Sequence, residues 1–310
     1  MTLSILIPTY NYNARALVDS LAQQAQTEGI EAEVLIGDDA STEETEWLNS
    51  YETYQSHKAH ESYKSHESCP ILVLRAAQNL GRAANRNRLA DAARGEWLLF
   101  MDCDAEVTDS HFLSNYLAST SEADVVCGGI CHPQTLPREG CELRWRYELA
   151  AEPYFTASRL NRLLREGKKV PFRTFSFLIR RSVFQHVRFD EHIQAYGCED
   201  VQFGRQLDLQ GFKILYIDNP LLNGDIESNP VFLSKTEEAL RTLHSIDGRL
   251  QDYYSMEQVS ARLRRFHLSG IISVFYLLLH NPLRRNLLSH HPNLKLFAFY
   301  KLGYYLSIKE

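Results

Sequence analysis

The 310-residue sequence has no CxxC pair, no apolar run long enough to cross a bilayer and no surplus of basic residues. Its six cysteines (69, 103, 127, 131, 141, 198) are scattered, which excludes zinc-ribbon and thioredoxin-like frameworks. Cys127, Cys131 and Cys141 lack a fourth partner at a zinc spacing, so reduced thiols are expected. The longest apolar run, residues 271–279, falls far short of the ~20 residues of a membrane span. Met1 leads into LSILIPTYN without a basic segment, apolar core and cleavage site, so a cytoplasmic protein is expected. A formal charge of -6 and a pI near 6.1 lack the basic footprint of a nucleic-acid binder, and no such partner is expected.

What is there is an α/β pattern. Aliphatic and β-branched segments at 3–7, 33–37, 71–75 and 96–101 alternate with helical periodicity at 14–26, 42–54 and 82–93. That alternation predicts a mainly parallel sheet flanked by helices. Further strands are expected at 124–130, 174–180 and 213–217, a helix at 200–209, and helices through the last 80 residues. At 44% apolar the chain can fill a sizeable core. Residues 51–68 interrupt the rhythm with a crude echo, YQSHKAHES then YKSHES; His57, His60, His66 and the distant His111 have no metal-ligand spacing and read as solvated.

Every early strand ends in polar residues: Pro8-Thr9-Tyr10-Asn11, Asp38-Asp39-Ala40-Ser41, Gln78-Asn79-Leu80-Gly81 and Asp102-Cys103-Asp104. In open parallel sheets ligands bind beyond the carboxyl ends of the strands, so these four clusters are expected to line one crevice. In FMDCDAEV an extended chain would point Asp102 and Asp104 to one face, where their charges repel unless a cation lies between them. A divalent metal is the first reading; acids closing a strand are the plainer one. Cys103 would face the other way and pack.

In order and spacing, SILIPTYN, LIGDDAST, QNLGRAANRNR, EWLLFMDCDAEV and YGCEDVQFGRQL resemble glycosyltransferase family 2, the inverting nucleotide-sugar transferases of the GT-A fold, over residues 1 to 225. The resemblance implies a catalytic domain at 1–225, with a nucleotide-binding half (1–105) and an acceptor-binding half (106–225), followed by a helical extension at 226–310. It implies Mn or Mg, which take hard oxygen ligands, held by Asp104, with Asp102 on the metal's water shell or the ribose. Asp38 and Asp39 would read the base, and Thr9 and Tyr10 would line its pocket. Asn79, Gly81 and Arg86 would stand near the nucleotide, Arg86 nearest. Arg82 and Arg88 are expected to face solvent, and Asn11 and Tyr12 to form a turn.

In the second carboxylate pair, the resemblance assigns to Asp200 the base that takes a proton from the acceptor hydroxyl, with Glu199 orienting acceptor or backbone. Asp200 also suits a helix N-cap. The family's frequent histidine after the last strand is absent; Asn223 stands there, and Asn223 or Asp225 offers an oxygen as third ligand. Arg144, Arg146, Arg159 and Arg162 either steer a diphosphate or pair with Glu142, Glu148 and Glu152.

From residue 249 onward nine Lys/Arg face three acids, a local +6 that leaves -12 on the rest, and ten aromatics are interleaved. Such a tail suits an anionic membrane surface at its inner face, or packing on the core or in a homodimer. The expected function is metal-dependent, inverting transfer from a nucleoside-diphosphate sugar to a saccharide or lipid-linked acceptor in surface polysaccharide synthesis. A non-catalytic nucleotide-sugar binder and a sugar-phosphate nucleotidyltransferase are the other classes; the latter would carry a Gly-rich basic loop where TYNYNARA stands.

Overall fold

A computed structural model describes residues 1–43, 45–51, 69–246 and 248–308. Two compact units are built from interleaved segments. The first comprises Met1–Cys131, Arg173–Gln194 and Gln206–Asn223; the second comprises His132–Phe172, Ala195–Arg205 and Gly224–Glu310.

The first unit is organised by a seven-stranded sheet in the order β3-β2-β1-β4-β8-β6-β9. Its strands are β1 (Leu3–Thr9), β2 (Ala32–Asp38), β3 (Ile71–Arg75), β4 (Trp97–Met101), β6 (Val125–Cys127), β8 (Ser176–Arg180) and β9 (Ile214–Tyr216). Six strands run the same way; β8 runs against both of its neighbours, β4 and β6. A second sheet of three short strands has the order β5-β10-β7, from Ala105–Glu106, Leu221–Asn223 and Ile130–Cys131. The strand expected at 124–130 therefore breaks after Cys127 and its last residues join the other sheet.

Strands β1 and β2 are buried almost throughout, as continuous apolar runs in a parallel sheet should be. Alternation divides them: Leu3, Ile5, Ile7, Val34 and Ile36 share a core with Leu17, Val18, Leu21 and Ala25 of α1 (Arg15–Glu28). Fully burying each such side chain contributes about 1.5–3 kcal/mol. Helix α2 (Arg82–Ala92) lies against β1 and β2, where the Asn85 amide donates to the Gly37 carbonyl at 2.7 Å. Glu33 is fully buried inside β2, and its carboxylate accepts from Ser4 Oγ and from the backbone and guanidinium of Arg94, which satisfies a group otherwise costly to bury. Helices α3 (Phe112–Ala118) and α6 (Arg181–His186) complete this unit. His111 precedes α3 and contacts Glu28 of α1 at 3.0 Å. Residues 46–51 are helical, inside the helix expected at 42–54; its last three positions and the histidine-rich echo lie outside the described residues.

The second unit contains α4 (Glu142–Ala151), α5 (Ala157–Arg165), the start of α7 (Glu199–Leu209), α8 (Asn229–Ser245), α9 (Ser255–Arg265), α10 (Ser269–Leu287) and α11 (Leu294–Ser307). Its core joins Leu143, Leu233, Tyr276, Leu283, Leu287, Phe297 and Tyr300. The tail aromatics mostly turn inward: of the ten, Phe266 and Phe275 alone are exposed.

Candidate active site

The carboxyl ends of β1, β2 and β4 carry the acids and hydroxyls singled out in the sequence. Thr9 is buried; its hydroxyl donates to the Tyr12 carbonyl at 3.1 Å, and its own carbonyl accepts from the Asp39 N–H at 3.0 Å. Tyr10 is 50% exposed. Asn11 adopts a left-handed φ of 48°, which asparagine tolerates, and its side-chain oxygen accepts from the N–H groups of Thr42 and Glu43.

Asp38 and Asp39 are both buried. Asp38 Oδ1 accepts from the Ser41 N–H at 3.2 Å, while the two oxygens of Asp39 accept from Leu80 N–H (2.8 Å) and Gly81 N–H (3.0 Å). Asp39 thus ties the end of β2 to the turn that opens α2. Asn79 Oδ1 also accepts from Gly81 N–H, at 3.1 Å. Gly81 has a φ of 86°; a Cβ there would meet nothing within 4 Å, so backbone conformation, not space, demands glycine. Among the described residues no side chain caps α2, leaving its first-turn amides to other partners.

Arg86 is tied to the Asp102 turn. It is 3% exposed, and its Nη2 donates to Asp102 Oδ1 at 3.1 Å and to Thr174 Oγ1 at 3.2 Å, with the guanidinium 5.2 Å from the Phe189 ring. Helical spacing puts Arg86 on the inner face of α2, where it is buried over the Phe189 ring and Asp102 is its counter-ion. Arg88 is not a solvent-facing charge either: it donates to the carbonyls of Asp38 and Leu74 and to Asn85 Oδ1. Arg82 does face solvent.

Asp102, Cys103 and Asp104 form a turn between β4 and β5 rather than a strand end, closed by the Ala105 N–H donating to the Asp102 carbonyl at 3.4 Å. The carboxylates are therefore brought near by the turn, not by strand alternation. Burial pushes the Asp102 carboxyl up to about 6; Arg86 opposes this and the charge of Asp104 adds to it. Cys103 packs against the core, and burial pushes its thiol up to about 12. The six cysteines are all free thiols.

Sheet pairing adds a residue that local pattern could only suggest. Asn223 of β10 stands across from Ala105 of β5, one residue beyond Asp104. Its side chain is 5% exposed, and its Oδ1 has no hydrogen-bond partner among the described residues. Asp225, the other oxygen considered, is half exposed and lies 3.9 Å from Arg138. Among the described residues no group of three or more His, Cys, Asp or Glu side chains gathers to hold a metal.

In the second unit, Glu199 and Asp200 open α7. Asp200 sits one residue inside the helix, not at its cap, and its carboxylate accepts from the Val201 N–H at 2.7 Å. Two acids in a first turn suit the positive end of the helix dipole. The loop before them is firmly held: the Tyr196 N–H donates to Glu238 (3.0 Å), Thr242 Oγ1 donates to the Tyr196 carbonyl (2.9 Å), and the Tyr254 hydroxyl reaches Cys198 Sγ at 3.7 Å. Gly197 has a φ of 97° and a Cβ on it would lie 2.8 Å from Ala239 Cβ. Cys198 takes a φ of 73°, a conformation costly for a side-chain-bearing residue. The tail residues Glu238, Ala239, Thr242 and Tyr254 were not foreseen, because nothing in their local pattern marks them.

Arg144, Arg159 and Arg162 find partners other than Glu142, Glu148 and Glu152. Glu148 and Glu152 flank buried His132, and Glu142 accepts from His290 and Asn229. Arg144 instead pairs with Glu227 at 2.6 Å. Arg159 lies over Tyr154 and Arg162 near Glu166.

The sequence model of glycosyl transferase family 2 matches residues 4–188, more than half of the chain. The chain belongs to glycosyltransferase family 2. Two curated relatives of this family 2 chain are an uncharacterized glycosyltransferase of Haemophilus influenzae, 38% identical over 104 residues, and the uncharacterized glycosyltransferase YfnE of Bacillus subtilis, 30% identical over 129 residues. The matches cover 33% and 41% of this chain, and 29% and 30% of those relatives. Among solved structures, the mannosyltransferase PcManGT from Pyrobaculum calidifontis, in complex with GDP-Man and Mn2+, matches with a TM-score of 0.58 and 13% identity over 98% of this chain and 84% of its own. S. aureus TarS 1–349, in complex with UDP-GlcNAc, matches with a TM-score of 0.51 and 18% identity over 99% and 90%. The family 2 chain thus has the GT-A fold, a mainly parallel seven-stranded sheet with helices, and a helical C-terminal region.

Proposed function

We propose that this chain is a nucleotide-sugar-dependent, metal-assisted, inverting glycosyltransferase that delivers a sugar to a saccharide or lipid-linked acceptor, in surface polysaccharide synthesis. Residues 1–225 would carry catalysis and 226–310 would form the helical extension. The observation that carries the reading is the Asp102–Cys103–Asp104 turn with the buried Oδ1 of Asn223, which has no partner among the described residues, one pairing step away. Two carboxylates and an amide oxygen are hard ligands suited to Mg or Mn. An orphaned buried oxygen is costly unless something cationic or protonated completes it. The chemistry of this donor set fits a divalent cation, which Asp104, Asp102 and Asn223 would hold. When bound, the cation neutralises the charge that develops on the departing diphosphate.

The chain's own residues do the rest. Arg86 holds Asp102 in place and spreads its charge. Asp38, Asp39, Thr9 and Tyr10 would form the base and ribose pocket, and Asn79 and Gly81 the turn beside it. Asp200 would accept the proton of the attacking hydroxyl as the new bond to the anomeric carbon forms and the bond to diphosphate oxygen breaks, which inverts that carbon. The GDP-Man and UDP-GlcNAc complexes of the neighbours support a nucleoside-diphosphate donor.

The test is a thermal-shift panel of nucleoside diphosphates and their sugars, with and without Mn or Mg, on wild type and Asp104→Ala. A ligand at a hundred times its Kd stabilises by about 2.7 kcal/mol. The expected result is a shift for one base that requires metal and is lost in Asp104→Ala. A shift indifferent to metal and to Asp104 refutes the metal-held donor, and no shift with any donor refutes the donor site.

A further inference from the structure

The tail's exposed surface is not the one its composition suggests. With most aromatics buried, what remains outside, besides Phe266, is an apolar strip on the first half of α10: Ile271, Val274, Phe275, Leu277, Leu278 and Leu279 are between 43% and 72% exposed. Most of it recurs at the i, i+3, i+4, i+7 spacing of one helical face, while Tyr276, Leu283 and Leu287 on the other face fill the core. A contiguous apolar face of this kind on a folded chain marks an interaction surface. We propose that it lies flat on an anionic lipid surface, with the arginines around it meeting the headgroups.

Charge identifies the occupant. Arg262, Arg264 and Arg265 are exposed in the last turn of α9, where the chain bends, and Arg285 is exposed at the far end of the α10 face. Residues 258–309 contain no aspartate or glutamate at all. A second copy docking through the same face would place two acid-free surfaces against each other, because a two-fold interface is self-complementary. An anionic bilayer complements both features: acyl chains accept the apolar strip, and lipid phosphates accept the guanidinium groups.

Length separates lying on the bilayer from crossing it. The exposed apolar half, Ile271 to Leu279, extends about 13 Å along the helix axis, less than half of the roughly 30 Å hydrocarbon thickness. Among the described residues no single helix is long and apolar enough to span, and the α9–α10 pair that passes on length and composition together is bent by 114°. Exposed arginines on both sides of the strip suit an in-plane helix, with side chains reaching up to the headgroups.

The proposal is independent of donor chemistry, and its test is flotation of the full chain with vesicles of phosphatidylcholine, with and without phosphatidylglycerol. Wild type is expected to float with phosphatidylglycerol vesicles at low salt and to be released by high salt, each arginine being worth about fivefold in binding. The double variant Phe275→Glu/Leu278→Glu and the triple variant Arg262→Gln/Arg264→Gln/Arg265→Gln are each expected to remain soluble. Both change exposed side chains, so they should keep the wild-type melting temperature and any donor-induced thermal shift. Wild type that does not float overturns the proposal, as does flotation untouched by either variant. Binding that resists carbonate extraction indicates insertion across the bilayer and overturns the in-plane placement. A concentration-dependent dimer in light scattering, abolished by Phe275→Glu/Leu278→Glu, assigns the face to a second copy and overturns it too.

Discussion

Asn223 of β10 stands directly across from Ala105 of β5, and its side-chain oxygen is buried there without a hydrogen-bond partner among the described residues. A buried unpaired oxygen lowers stability by about 1–3 kcal/mol. Asn223→Leu keeps the volume and removes the orphan, so it should melt at or above the wild-type temperature without ligand. The same variant should lose the metal-dependent part of the nucleotide-induced shift. Thermal melts with and without Mn and nucleoside diphosphate measure both; a destabilised variant that keeps the full metal effect would contradict the assigned role.

Arg86 and Asp102 form the other tight relationship in this region, with the arginine side chain 4% exposed and the aspartate 30% exposed. Breaking a fully buried pair costs about 3–5 kcal/mol; partial exposure of Asp102 lowers the expectation for Arg86→Met to about 2–3 kcal/mol. Adding Asp102→Asn to Arg86→Met should recover part of that loss, since the uncompensated charge disappears. Urea unfolding of the two single variants and the double variant forms the cycle, and strictly additive effects would show that the pair is not coupled.

Glu142 and His290 give the second unit a pH dependence. Burial pushes the Glu142 carboxyl up, but hydrogen bonds from His290, from backbone N–H groups and from Asn229 outweigh it and hold it at about 2, against an ordinary 4.5. The hydrogen bond to Glu142, and then its charge, raise His290 above its ordinary 6.5. A depressed carboxyl stabilises above 4.5 and loses this as pH falls toward 2; a raised histidine stabilises below 6.5 and loses it as pH climbs past its folded value. The pair's contribution is therefore largest between these limits. Glu142→Gln should lose about 1–2 kcal/mol near pH 6, with the gap to wild type narrowing on either side. A gap that stays flat from pH 3 to about 9 would contradict the pairing.

Asp200→Asn should bind donor as wild type does and lose transfer by at least about a hundredfold, the usual worth of a general base. Isothermal titration with donor and metal, alongside product formation, separates the two effects. Turnover at the wild-type rate would remove Asp200 from the role of base.

The strands at 3–7, 33–37 and 71–75 and the helices beginning at residues 15 and 82 were legible because aliphatic runs and 3.6-residue periodicity are properties of neighbouring residues. The polar clusters closing each strand were legible for the same reason. The break of 124–130 into β6 and β7 was not, because the second piece pairs with β10, some ninety residues on. Nor was the burial of Arg86: its helix face follows from spacing, but its counter-ion comes from another strand. In the tail, composition named the basic and aromatic residues but not which aromatics would be covered, since that depends on how α10 and α11 pack.

Local pattern alone carried the α/β alternation, the acids Asp38 and Asp39 closing β2, the clustering of Asp102 and Asp104 just past β4, and the acid-free tail, all written within a few residues of each other. Packing of the whole core settled that β8 runs antiparallel, that Asn223 pairs with Ala105 just past Asp104, that Glu238, Thr242 and Tyr254 hold the loop before Glu199 and Asp200, and that α10 turns Tyr276 inward while presenting Phe275 and a set of aliphatic residues to solvent. These depend on contacts between residues far apart in the chain, whose register follows from the packing of the whole core and from no local period.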